Sequence, residues 1–202
     1  TYTQWLNAGG TLEADLTVTK LADDRFWVVA SDTAHRHALT WMRRHFDGHH
    51  AFVADVTSGW AQLNVQGPRS RELLQSITSV GLSNAAFPFR AAREIDIGYA
   101  RLLCVRITYV GELGYELHIP AEQAVHVHEQ LVTAGRAFDL RHAGLKALAS
   151  LRLAQAAGCA VESTLGVGGL GFSAATHVGD GHAEHAEIRS GRLDGREPRQ
   201  HG

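Results

Sequence analysis

The chain has 202 residues, with 19 lysines and arginines against 21 aspartates and glutamates, 13 histidines and 45% hydrophobic residues. That length can bury a real core, and the composition is that of an ordinary globular protein. The near balance of charge excludes a dedicated nucleic-acid binder, which carries a basic excess, and without an apolar run of about 18 residues no transmembrane helix is expected. Cys104 and Cys159 cannot build a disulfide framework and lack paired-ligand spacing, which fits a reducing, intracellular setting. Residues 1–6 (TYTQWL) carry no signal-peptide pattern, and a chain that opens on Thr1 reads as the middle of a longer protein.

Residues 13–29 (EADLTVTKLADDRFWVV) open the chain order. Leu16 and Val18 alternate with Thr17 and Thr19, Asp23-Asp24 makes a turn, and residues 25–30 return, which predicts a β-hairpin. Ser31 or Asp32 offers an N-cap for a helix over 34–45, with Ala38, Leu39 and Met42 on one face and Gly48 closing it. Residues 51–56 and 60–66 read as strands. Gly67-Pro68 then starts a helix with Pro in its first turn and Leu73, Leu74 and Ile77 as its apolar stripe. Residues 93–98, 102–109 and 115–119 are strand-like, and 110–114 (VGELG) form the turn between the last two. Helices are expected over 121–134 and 143–154. Irregularly interleaved strands and helices with short turns predict an α+β fold, mostly antiparallel sheets with packed helices.

Beyond residue 153 the pattern changes. Glycines and scattered charge leave only brief apolar runs, and about 176–202 is expected to be disordered because too little apolar surface offsets ordering entropy. His182, Glu184 and His185 are metal-ligand types, but no scaffold fixes them, so no metal is expected there. Gly166, Gly168 and Gly169 suggest a dinucleotide loop without the strand-to-helix context that such a loop needs.

Four segments carry a family resemblance: LNAGGTLEADLTV (6–18), QLNVQGPRSRELL (62–74), RITYVGELGYELHIP (106–120) and LRHAGLKALASLRL (140–153). In this order they resemble the folate-binding aminomethyltransferase family. That family includes the T-protein of the glycine cleavage system and the C-terminal folate domains of dimethylglycine and sarcosine dehydrogenases. YVGELGYE is the most specific piece, while AFPFRAAREIDIG (86–98) and GLKALASLRL look more like the dehydrogenase branch. The T-protein usually has Ala-Arg-Asp where this chain has Ala147-Leu148-Ala149.

The resemblance implies a partial T-protein-like folate-binding fold and a set of site residues. A pterin ring presents two adjacent N–H donors, which one carboxylate can accept side by side; the family places Glu116 there. Tyr109 matches a tyrosine beside the pterin, where a flat ring needs an aromatic face. One-carbon transfer near N5 and N10 calls for a carboxylate that stabilises a cation and helps move a proton. Strand alternation puts Glu13 and Asp15 on one face and does not choose between them; the family pattern chooses Asp15 as the catalytic acid. Ser31 falls where the T-protein carries an asparagine bordering the folate. Taken without the family, Glu116 is an outward glutamate and Tyr109 a half-buried strand tyrosine. Tyr115, Arg152 and Cys104 are expected to be structural.

The implied activity is one-carbon (aminomethyl or methylene) transfer to tetrahydrofolate, forming 5,10-methylenetetrahydrofolate in a fragment of an amine dehydrogenase. The alternative is a non-catalytic folate-binding or structural module. Thr108-Tyr109-Val110-Gly111 replaces the Lys-Gly-Cys-Tyr-type element of the family's iron–sulfur accessory branch. The implied partners are a small-molecule folate and a flavin dehydrogenase domain or subunit, with FAD bound only in a missing N-terminal domain; no nucleic acid and no membrane partner is expected. The implied location is the cytoplasm, or the mitochondrial matrix in a eukaryote. The expected organisation is a partial first folate-binding subdomain (1–50), a second α+β subdomain (51–140), a helix returning to the first (141–155) and an atypical tail (156–202). The family usually begins about fifty residues earlier and continues into a β-rich domain. Loss of resemblance after residue 153 suggests a shifted reading frame, which sequencing of the gene would test.

Overall fold

Alternating residues build a first sheet, all antiparallel, from β1 (Tyr2–Leu6), β2 (Leu12–Lys20) and β3 (Arg25–Ala30), extended by β4 (Ala51–Asp55) and β11 (Phe172–Val178) in the order β1-β2-β3-β11-β4. The computed structural model describes residues 1–156, 165–169 and 172–178. The expected hairpin is β2–β3. Its register pairs Thr17 with Val29 and Thr19 with Trp27, so these four side chains share one face. Ala14, Leu16, Val28 and Ala30 lie on the other face, buried against Ala38 and Met42 of α1 (His35–Arg44). Ser31 and Asp32 do not cap α1. A short 3₁₀ turn over Asp32–Ala34 comes first and Ala34 takes the cap position, while Asp32 Oδ1 accepts from the Thr33 backbone N–H.

The second sheet takes the order β6-β7-β8-β5-β10-β9. Its strands are β5 (Trp60–Gln66), β6 (Ala92–Ile97), β7 (Ala100–Val105), β8 (Gly114–Pro120), β9 (Arg141–Ala143) and β10 (Leu165–Gly169). Only β9–β10 is parallel. Val65, Leu102, Tyr115, Leu117 and Ile119 project to the outer face, where Leu73 and Leu74 of α2 (Ser70–Gln75) and Val127 and Leu131 of α3 (Ala124–Gly135) cover them. Each such side chain contributes roughly 1.5–3 kcal/mol by leaving water. Cys104 lies in this core, and burial pushes its thiol far up, which matches an inert structural cysteine. Tyr115 is fully buried, with its hydroxyl accepting from Arg71 Nε at 3.3 Å.

The opposite face of this sheet meets the first sheet. Trp27 and Val29 pack with Leu103, Val105 and Trp60, and the Trp27 and Trp60 rings meet edge to face at 4.9 Å. α4 (Leu145–Ala156) follows β9 and packs Leu148 against Val110.

The stretch after residue 155, expected to lack regular structure, contributes β10 and β11. β11 fills the slot between β3 and β4, and β10 lies between β5 and β9. Their ladders satisfy backbone groups whatever the side-chain pattern, so glycine-rich LGVGG showed no strand period. Gly166, Gly168 and Gly169 are therefore strand residues and form no phosphate loop. Cys159, His182, Glu184 and His185 lie outside the described residues.

Candidate functional site

Glu116 occupies the third position of β8, opposite Asn64 of β5 and Val105 of β7. His118 comes two residues later, opposite Gln62 and Leu103. Period-two alternation thus puts Glu116, His118, Asn64, Val105 and Leu103 on one face, the face that meets the first sheet through Trp27. The His118 ring lies 5.8 Å from that of Trp27.

This placement sets the charge states. The Glu116 side chain is 19% exposed, and burial pushes its carboxyl up to about 7. His118 is 2% exposed, and burial lowers it to about 4. Their closest approach, Nε2 to Oε2, is 3.8 Å. That exceeds hydrogen-bond reach, and an imidazole that stays neutral while the acid ionises does not form an ion pair. The carboxylate is therefore held ready, with no charged basic partner among the described residues. Asn64 accepts from Gln62 Nε2 at 3.3 Å. Gln66 Oε1 accepts from Thr108 Oγ1 at 3.4 Å, and its Nε2 has no partner among the described residues.

Tyr109 sits beyond β7, which ends at Val105, four residues short of the end expected for a strand over 102–109. The residue is 49% exposed. The Arg152 guanidinium of α4 stacks on its ring at 4.0 Å and donates from Nη1 to the Tyr109 carbonyl at 3.4 Å. Arg152, expected to pack or pair within the fold, does both, and backs one face of Tyr109.

Asp15 lies two residues before Thr17, on the face of β2 that carries Thr17, Thr19, Trp27 and Val29. Asp15 and Glu116 therefore stand on the two sheet faces that confront each other. The Tyr2 hydroxyl donates to Asp15 Oδ2 at 2.6 Å, and that bond raises the phenol's pKa. Arg152 and Tyr109 are close enough to Tyr2 to act on its phenol electrostatically, which links Asp15 to the Tyr109 turn.

Glu13 does not share the Asp15 face. The β1–β2 register shifts between Trp5 and Leu6: Trp5 opposes Ala14, Leu6 opposes Leu12, and Glu13 is the extra residue of a bulge. Its carboxylate accepts from Asn7 Nδ2 at 2.8 Å and lies 2.7 Å from Nε2 of His37 on α1. These bonds hold it below its usual range, led by the one from Asn7. Strand alternation could not separate the two acids; the bulge does.

Ser31 is exposed just past β3, with its Oγ 3.1 Å from Thr33 Oγ1. The β2–β3 ladder ends at Leu16–Ala30, one position short of Asp15 and Ser31. Sequence reasoning missed Tyr2, Gln66 and His118. The shallow hollow lined by Arg43, Phe46, Asp47 and Phe52, at the end of α1, includes none of these residues. Among the described residues there is no metal-ligating cluster, and no helix is long and apolar enough to cross a membrane.

A family model described as the GCVT N-terminal domain matches residues 1–161. The chain is similar to the 4-methylaminobutanoate oxidase (formaldehyde-forming) of Paenarthrobacter nicotinovorans, 38% identical over 151 residues, covering 75% of this chain and 18% of that protein. It is similar to the mitochondrial dimethylglycine dehydrogenase of Mus musculus, 31% identical over 153 residues, covering 75% and 18%. It is also similar to the aminomethyltransferase of Thermoanaerobacter sp. (strain X514), 31% identical over 151 residues, covering 75% and 41%. The chain thus spans well under half the length of these relatives.

Proposed function

The chain belongs to the GCVT N-terminal domain family, with an aminomethyltransferase, a 4-methylaminobutanoate oxidase and a dimethylglycine dehydrogenase among its relatives, and from that membership we propose that it is a tetrahydrofolate-binding one-carbon transferase domain. The carrying observation is Glu116: a largely buried carboxyl without a charged basic partner among the described residues, beside the Tyr109 turn, on a sheet face that confronts the Asp15 face. A buried acid so placed is matched by a ligand that brings its own donors.

Glu116 accepts from the two N–H groups of a pterin edge, and Tyr109, backed by Arg152, offers a ring face. When bound, tetrahydrofolate supplies N5 and N10, which take up a formaldehyde-level carbon with loss of water and give 5,10-methylenetetrahydrofolate. Asp15 holds negative charge against the cationic carbon centre and accepts a proton at Oδ1, since Tyr2 occupies Oδ2. Ser31, next beyond the β2–β3 ladder, borders the same end of the site. A flavin-dependent amine dehydrogenase domain or subunit is the proposed source of the carbon, and FAD binds there and not in this chain.

Calorimetric titration of the full chain with tetrahydrofolate tests the reading. Glu116→Ala is expected to lose about 1.5–3 kcal/mol of binding, the range for hydrogen bonds to a charged group. Equal affinity in both proteins overturns the role of Glu116. Asp15→Asn is expected to bind the folate and to lose capture of formaldehyde. Retained capture would leave a binding module without a catalytic acid at position 15.

A further inference from the structure

We propose that Gln66 is a specificity-determining contact whose side-chain amide donates to the 4-carbonyl of the pterin edge that Glu116 holds; this rests on the folate reading above. Gln66 is 1% exposed, its Oε1 accepts from Thr108 Oγ1, and its Nε2 is buried with no partner among the described residues. Exchanging the two amide atoms only moves the orphan from nitrogen to oxygen, so one end is unsatisfied in either orientation. A buried polar group left unpaired in a native fold calls for an explanation, and a ligand that supplies the partner is one.

The position fits that ligand. Gln66 ends β5 opposite Gly114, and Asn64 lies opposite Glu116, so Gln66 and Glu116 share a face. A Cβ on Gly114 would lie 3.1 Å from Gln66 Cγ and 3.1 Å from Thr108 Cβ. The Gln66 side chain therefore passes against the bare Gly114 backbone at its Cγ, next to Thr108, the residue that precedes Tyr109, and two residues from Glu116. Along its edge a pterin presents the 2-amino group and N3–H as donors, then the 4-carbonyl as acceptor. A carboxylate satisfies the two donors and repels the carbonyl. The complement to the carbonyl is a neutral donor, which Gln66 has to spare.

The test titrates the full chain with 6-methyl-5,6,7,8-tetrahydropterin and with its 4-amino counterpart, in which an amino donor replaces the carbonyl and N3 carries no hydrogen, so that each compound is compared between wild type and variant. Gln66→Met is expected to weaken the tetrahydropterin about tenfold, the scale of one buried hydrogen bond, and to leave the 4-amino compound unchanged. Equal affinity of wild type and variant for the tetrahydropterin overturns the inference, as does an equal loss for both compounds. Should Gln66→Met fail to fold, Gln66→Glu must shift the preference toward the 4-amino compound, and an unshifted preference overturns it. Wild type that binds neither compound overturns the folate reading along with this inference. Wild type that binds the tetrahydropterin, with no effect of the Gln66 changes, overturns the inference alone.

Discussion

Glu116 and His118 are two residues apart on one strand face, and burial drives their proton affinities in opposite directions. Glu116, ordinarily at 4.5, titrates near 7 in the fold. The folded state therefore holds an extra proton between these values, and stability falls as pH rises through that window. His118, ordinarily at 6.5, titrates near 4, so its contribution rises with pH between 4 and 6.5. From 4.5 to 6.5 the two slopes cancel. Glu116→Gln removes the falling one, so the variant should gain about 3 kcal/mol on wild type between pH 4.5 and 7.5. Urea unfolding of both proteins across that range measures it, and a pH-independent difference refutes the burial of Glu116. The same proton governs binding: if the pterin takes the carboxylate form, affinity should fall about tenfold for each unit below pH 7 and be flat in Glu116→Gln. Asp15 has a different support. Tyr2→Phe removes the 2.6 Å bond to Oδ2 but keeps the ring, so one-carbon transfer should slow with folate affinity little changed; parallel loss of both would make Tyr2 a ligand contact instead. The motif singled out Glu116, Tyr109 and Asp15 as candidates in the sequence. Tyr2 and Arg152 were not, because their significance lies in contacts across 13 and 43 residues, and neither contact leaves a period.

At the scale of elements, the hairpins read well because each strand's pattern and turn are local. The β2–β3 pair and the Trp60–Gln66 strand follow directly from alternation. β9, β10 and β11 did not read, since each is defined by a partner that is not its neighbour in the chain: β11 pairs with strands more than a hundred residues earlier. The bulge at Glu13 is equally silent, because it depends on the facing strand's count. Gly114 shows what the first position of β8 requires. Space for its Cβ is already taken by Gln66 Cγ, Thr108 Cβ and Thr108 Oγ1 at 3.1–3.2 Å. Gly114→Ala should shift both neighbours by a few tenths of an ångström. The expected result is weaker tetrahydrofolate binding with a stability loss of about 1–2 kcal/mol, in the usual range for mild overpacking. Titration beside denaturant unfolding separates the two effects, and unchanged affinity would show that Gln66 and Thr108 do not need their present positions. A collision with His126 and a φ of +58° make Gly98→Ala the contrasting control. It lies at the β6–β7 turn, and it should cost stability and leave folate affinity intact.

At the scale of the molecule, the proposed site exists only where two sheets face each other. Each sheet keeps its own core, the first under α1 and the second under α2 and α3. What joins them is a smaller apolar layer with Trp27 at its centre, 4% exposed, against Trp60, Leu103, Val105 and the His118 ring. Asp15 belongs to one sheet and Glu116 to the other, so their relative placement depends on this layer. Trp27→Ala should cost about 3–5 kcal/mol, the range for deleting a large buried aromatic. Because the outer cores are untouched, much of that loss should appear as slack between the sheets. Far-UV circular dichroism is therefore expected to stay near wild type at low temperature while tetrahydrofolate affinity drops more than about tenfold, an effect above 1.4 kcal/mol. Leu131→Ala, in the outer core of the second sheet, offers a matched destabilisation of about 2–5 kcal/mol that should leave affinity unchanged while the chain is folded. If the two variants weaken binding equally, general destabilisation accounts for the loss. If neither weakens it, Asp15 and Glu116 do not act across the layer that Trp27 holds together.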